Sequence, residues 1–284
     1  MRHPVLAALC LVGTGLLTAC GNGDADASRA LQSIDLIDET NLNDLMMTTA
    51  EPAEAVAHFR RGLAERPGRI DLKRGLAGSL IRAGQASEAV GHWREIVSHP
   101  EATNEDRVAL ADALIRTNDW DGAAAMLNTI PPTFETFNRY RLEAMVADSN
   151  RQWQKADSFY ETAVGLTTRP ASVLNNWGYS KLTRGDPDAA ERLFMEALTY
   201  DPNLFAAKNN AAMARGARRN YSLPLVAMTQ VERAQLLHTL AMTAIKQNDV
   251  TTGRSLLQEA IESHPQHFEV AVRALRALEA AGAG

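Results

Sequence analysis

The chain has 284 residues, few of them aromatic, and a formal charge of −5. A mildly acidic chain of this kind has no electrostatic footprint for nucleic acid. Its cysteines, Cys10 and Cys20, both lie near the start, so no disulfide framework or cysteine metal site is available to the rest.

Residues 1–19 read as a secretory signal. Arg2 and His3 make a short positive start, and Val5 to Leu17 form a mostly apolar stretch too short for a comfortable membrane span. Leu17-Thr18-Ala19-Cys20 then resembles a bacterial lipobox. That resemblance implies cleavage before Cys20, a diacylglycerol on its sulfur and an acyl group on its new amino terminus. Several acyl chains anchor a protein where one holds it only marginally. Gly21 stands where an aspartate would favour inner-membrane retention, so the expected location is the periplasmic face of the outer membrane. Losing Arg2 with the signal leaves 34 acids and 28 bases, a charge of −6. Residues 20–33 begin with the lipidated cysteine, are mostly small and polar, and read as a flexible tether.

Beyond the tether an alanine recurs, paired with a large apolar or aromatic side chain four residues later. The pairs are Ala55 and Phe59, Ala89 and Trp93, Ala123 and Leu127, Ala156 and Tyr160, and Ala190 and Phe194. The alanines stand 34, 34, 33 and 34 residues apart. This resembles the tetratricopeptide repeat (TPR), a helix-turn-helix unit. The resemblance implies an all-α, right-handed α-solenoid, the array covering 34–218. Residues 171–204 match most fully, with Leu174, Trp177, Gly178, Ala190, Phe194, Ala197 and Pro202 at the signature spacings and Gly185-Asp186 at the turn. Gly178 and Ala190 are small because two helices cross closely there, and Phe194 fills the space between units. Trp120 and Trp153 are expected to cover their turns.

After residue 204 the register breaks. Residues 205–217 look like a first helix without a second, and 219–233, around Asn220-Tyr221-Ser222-Leu223-Pro224-Leu225, reads as an extended insert. Its apolar Tyr221, Leu223, Leu225, Val226 and Met228 either pack along the solenoid or dock onto a partner. Residues 234–284 recover one repeat through Leu237, Leu240, Ala241, Gly253, Leu257, Ala260 and Pro265, then end in a capping helix kept wet by Arg273 and Arg276.

No catalytic constellation appears: there is no G-x-S-x-G, no Walker-type loop and no H-E-x-x-H. His264 and His267 lie at a proline turn without a carboxylate between them, and Glu191 and Glu196 read as solvated surface acids. The expectation is therefore a non-enzyme without cofactor or metal. Partner binding is expected on the first helices of the units, at Arg74, Arg141, Asn175, Asn176, Asn209 and Asn210. The two Asn-Asn pairs are 34 residues apart, and a side-chain amide both donates and accepts, so a stack of them can hold a peptide's main chain. The same asparagines could instead bridge adjacent helices. Lys208, Arg215, Arg218 and Arg219 add positive charge that could meet an acidic or C-terminal carboxylate.

The lipobox, the repeats and the insert with its continuation Val231-Glu232-Arg233-Ala234-Gln235-Leu236-Leu237 together resemble the TadD-like lipoproteins of the Flp/tight-adherence (Tad) pilus system, most clearly over 171–270. That resemblance implies an outer-membrane assembly factor whose partner is the secretin channel or another pilus-assembly subunit. Lipoproteins of outer-membrane protein insertion, exopolysaccharide export or peptidoglycan synthesis control share the anchor and the repeat, and remain alternatives.

Overall fold

A computed structural model describes residues 42–282, and among these there are helices and no strand. The signal, Cys20 and the tether lie outside the described residues. The described residues divide into two compact units, one ending at Ala83 and one beginning at Gly84.

The first unit holds α1 (42–48), α2 (Pro52–Glu65) and α3 (Ile70–Arg82). Pro52 opens α2, where a missing N–H breaks no helical bond. Phe59 on α2 lies over Gly75 on α3 so closely that a Cβ at residue 75 would sit 2.3 Å from the ring. Arg82 donates to the carbonyls of Met46 (2.9 Å), Met47 (2.8 Å) and Ala50, satisfying acceptors left open at the end of α1.

The second unit runs through α4 (Ala86–Val97), α5 (Asn104–Arg116), α6 (Trp120–Leu127), α7 (Phe137–Ser149), α8 (Trp153–Gly165), α9 (Ala171–Thr183) and α10 (Pro187–Tyr200). It continues with α11 (Phe205–Ala217), α12 (Gln230–Lys246), α13 (Val250–Ser263) and α14 (Glu269–Gly282). Each helix packs on the next, and α5, α7, α9 and α11 also touch in succession, so first helix meets first helix along the array. The signature alanines Ala89, Ala123, Ala156 and Ala190 fall on α4, α6, α8 and α10 and are fully buried, as are nearly all atoms of their large partners.

The turns inside the units are built alike. Gly84, Asn118, Arg151, Gly185 and Asn248 all have φ between 56° and 85°, and each stands five residues before the signature alanine or its equivalent, Gly253. The next N–H then reaches back five residues to a helix carbonyl: Asp119 to Leu114 (2.9 Å), Gln152 to Ala147 (2.8 Å), Asp186 to Lys181 (2.9 Å) and Asp249 to Ala244 (2.9 Å). This is the Schellman ending, which needs a left-handed residue. Asp119, Asp186 and Asp249 then cap the next helix. Glycine takes this backbone freely and arginine does not, so opposite effects are expected at equivalent positions. Gly185→Ala should cost about 1 kcal/mol, whereas Arg151→Gly should gain about 0.5 kcal/mol. Urea midpoints of the two variants moving in the same direction would refute this account of the turn.

Arg219 also takes the left-handed turn, at φ 60°, and Asn220 bonds back to Arg215 at 3.0 Å. So α11 ends as a first helix does, yet no second helix comes after it. Tyr221, Leu223 and Met228 pack instead on the core of α12–α14 around Leu236, Leu240 and Leu257. Val226 packs on the core around Leu174 and Leu198, while Leu225 stands 93% exposed. The extended stretch is shorter than the 219–233 expected, because α12 starts at Gln230. Thr229 and Glu232 form a capping box, with Glu232 N donating to Thr229 Oγ1 (3.2 Å) and Thr229 N to Glu232 Oε2 (2.7 Å). One polar anchor had no sequence signal: buried Arg139 holds the proline loop before α7 by donating to Pro131 O (2.7 Å) and Phe134 O (2.9 Å), and pairs with Glu143 at 2.7 Å.

Candidate partner-binding groove

The successive first helices of the second unit leave a line of cavities between them. One of about 320 Å³ lies between α5 and α7, lined by Glu105, Asp112, Phe134 and Arg141 among others. The next, about 350 Å³, is lined by Asn175, Asn176 and Tyr179 of α9 with Met145 and Asp148 of α7 and Trp120. A third, about 630 Å³, is lined by Asn209 and Met213 of α11, His238, Met242 and Lys246 of α12, and Leu182.

The predicted site residues are placed as follows. Arg141 pairs with Asp112 of α5 at 3.0 Å, across the first cavity. Asn175 Oδ1 accepts from Asn210 Nδ2 at 3.0 Å, joining α9 to α11. Asn209 Oδ1 accepts from Thr239 at 2.7 Å, joining α11 to α12. Asn176 approaches Met145 Sδ at 3.8 Å. The asparagines thus bridge neighbouring first helices, and Asn175, Asn176 and Asn209 also line the cavities. A side-chain amide has two donors and a carbonyl acceptor, so one bridge leaves capacity over. Arg74 lies half-buried on α3 in the first unit, with a partner of its own.

Two carboxylates that carry no sequence signature fasten α9 to the two helices before it. Asp157 on α8 accepts from Trp177 Nε1 (2.6 Å), Lys181 (2.9 Å) and Arg184 (2.6 Å) of α9 and the turn after it. Burial pushes its pKa up, but these donors outweigh burial and hold it at about 2. Asp148 accepts from Tyr160 (2.9 Å) and Ser180 (2.7 Å). There burial prevails over the two hydroxyls and keeps the carboxyl above the ordinary range.

No family model matches the chain, and no curated protein matches its sequence. Solved structures do match. A chain of the crystal structure of the APC/C hetero-tetramer Cut9-Hcn1 aligns with a TM-score of 0.59 and 12% identity, over 83% of this chain and 48% of that one. This chain therefore spans about half of that protein's length. A tetratricopeptide repeat protein from Parabacteroides merdae aligns at 0.52 and 14% identity, covering 90% of this chain and 100% of the other. A thermophilic TPR protein of Thermus thermophilus aligns at 0.53 and 16% identity, covering 61% and 95%.

The fold is the TPR solenoid. In this TPR array the cationic cluster near α11 is spent internally, which corrects the expectation of charge free for a partner. Lys208 is buried and pairs with Glu232 at 2.9 Å. Arg215 donates to Leu223 O (3.1 Å) and Ser222 (2.9 Å), and Arg219 reaches Gln247 O at 3.4 Å. Arg218 pairs with Asp188 and Glu191, so Glu191 is no solvated surface acid. These contacts tie the insert and the last TPR unit to α11 where a second helix is missing. Trp153 lies under the Arg184 guanidinium, 5.3 Å from its ring centre. His267 bonds Glu269 at 2.8 Å, and among the described residues no group of three or more His, Cys, Asp or Glu could hold a metal. No helix among the described residues is long and apolar enough to cross a membrane.

Proposed function

We propose that this chain is a protein-binding scaffold that holds an extended segment of a protein partner along the first-helix face from α5 to α12. The observation that carries the reading is the row of three cavities along that face, lined by apolar side chains and by amides with bonding capacity left over. Such a surface suits a peptide main chain, whose N–H and C=O groups need partners once water is displaced. One structural neighbour is itself part of a protein hetero-tetramer, and a partner-holding role for this chain is of the same kind.

We propose further that the scaffold is tethered by lipid on Cys20 to the periplasmic face of the outer membrane, and that its partner is the secretin or another subunit of a Tad-type pilus. The lipobox and the 171–270 resemblance support this reading. Anchoring would raise the local concentration of scaffold at the membrane where the channel assembles. The test is affinity capture of the tagged protein from gently solubilised membranes, with mass spectrometry of the captured material. A secretin should be recovered, and Asn175→Ala with Asn209→Ala should weaken its capture while far-ultraviolet circular dichroism stays unchanged. Cys20→Ala should move the protein out of the membrane fraction. Recovery of insertion-machinery, polysaccharide or cell-wall proteins would overturn the pathway and keep the scaffold; unchanged capture by the asparagine variant would move binding off this face.

A further inference from the structure

Of the three cavities on the first-helix face, the middle one holds a half-buried carboxylate that no cation answers. In the cavity between α5 and α7, Asp112 is already paired with Arg141, and Glu105 is exposed to solvent. In the cavity at α12 the charged side chain is Lys246, also exposed. In the middle cavity the acid is Asp148, and no cation among the described residues reaches ion-pair distance of it. Arg184, whose charge does act on Asp148 from farther off, is committed to Asp157 at 2.6 Å.

We propose that this cavity is a socket for a basic side chain, lysine or arginine, projecting from the partner segment, an inference that rests on the scaffold reading above. A carboxylate offers about four lone-pair sites, and Tyr160 and Ser180 use two. The others are left to an incoming cation, in a half-buried position where an ionic hydrogen bond is stronger than in water. Trp120 and the half-exposed Tyr179 line the same cavity, and an aromatic ring beside a cation adds to its attraction. At about 350 Å³ the space takes a long side chain with water to spare. The sign of the charge makes the socket selective. An acidic side chain would be repelled by Asp148, and an apolar one would strip water from the carboxylate without replacing it. That Asp148 stays harder to ionise than an ordinary carboxyl fits a group awaiting a counter-charge.

The test titrates the 15N-labelled full chain with capped single residues: N-acetyl-lysine methylamide, N-acetyl-arginine methylamide and neutral N-acetyl-norleucine methylamide. The Trp120 indole N–H and the side-chain amides of Asn175 and Asn176 report on the cavity. The two basic probes should shift these signals and saturate at about tenfold lower concentration than norleucine, the size expected of one charge-assisted contact with an aromatic rim. Asp148→Asn should erase that preference. Should that variant fail to fold, Tyr179→Ala, which leaves the Asp148 bonds in place, should reduce the preference severalfold. Equal response to basic and neutral probes at these amides overturns the socket and leaves the scaffold face standing. Shifts confined to other surfaces, or no saturable shift, overturn the socket; only unchanged partner capture by the asparagine variant above removes the face as well.

Discussion

Phe194→Ala is expected to lower the stability of the second unit by about 3–5 kcal/mol, the range for deleting a fully buried ring. Phe194 on α10 sits in a small-residue niche made by Ala190, Ala211 and Ala214, and so joins one repeat to the next. Its ring also covers Gly178 of α9, where a Cβ would lie 2.6 Å from a ring carbon. The glycine exists for the phenylalanine. Gly178→Ala alone should therefore cost about 1–3 kcal/mol through overpacking. In the double variant the alanine methyl enters space that the ring has left, so the two costs should fall short of their sum. Urea unfolding monitored by circular dichroism measures all three. Strict additivity, or a loss below about 1 kcal/mol for Phe194→Ala, would show that the ring is not the keystone of this seam. In the first unit Phe59 of α2 covers a glycine of the following helix instead, Gly75 of α3, with a Cβ distance of 2.3 Å.

Asp157→Ala should cost about 2–4 kcal/mol, because it strands cations rather than merely removing a bond. The Arg184 and Lys181 side chains are only 12% and 22% exposed, so neither recovers full hydration when its carboxylate goes. Asp157 is itself 29% exposed, which keeps the figure below that for a fully buried pair. The same network sets an acid limit. Asp157 titrates at about 2 in the folded protein against 3.8 for a free carboxyl. Its folded pKa is depressed, so its contribution is complete above the unfolded value and is lost as pH falls from about 4 towards 2. Asp148 works in the opposite sense: its pKa is raised, so protonation favours the fold as the solution is acidified. Comparing Asp157→Asn with the parent isolates the first effect. The parent should lose stability steeply in that window and the variant much less, by urea midpoints taken at neutral pH and through the acid range. Parallel pH profiles would place the acid sensitivity elsewhere.

The helical repeat could be read from the chain because each unit obeys the same local rules. Alanine must stand where two helices cross, a large side chain must fill the gap four residues on, and a left-handed turn must precede them. The buried row from Ala89 to Ala190, the close Gly178–Phe194 contact and the missing second helix after α11 obey those rules. Even the start of α12 was written in Thr229 and Glu232, whose spacing is that of a capping box.

Polar side chains behaved differently. The arginines and lysine near α11 looked free in sequence, yet they meet Asp188, Glu191, Glu232 and the carbonyls of the insert. The paired asparagines suited a groove, and they also bond one another across α9 and α11. Asp148, the acid of the middle cavity, and Asp157, which gathers Lys181 and Arg184, belong to no motif. Apolar spacing, turn chemistry and caps act within one unit or against the same face of the next, so the order of residues is enough to dictate them. Which carboxylate meets which cation across roughly 30 residues depends on how neighbouring helices are rotated and stacked, and several pairings of similar energy compete until that packing is in place. Those pairings are set by the stacked helices and by nothing more local, and with them the unanswered carboxylate in the groove.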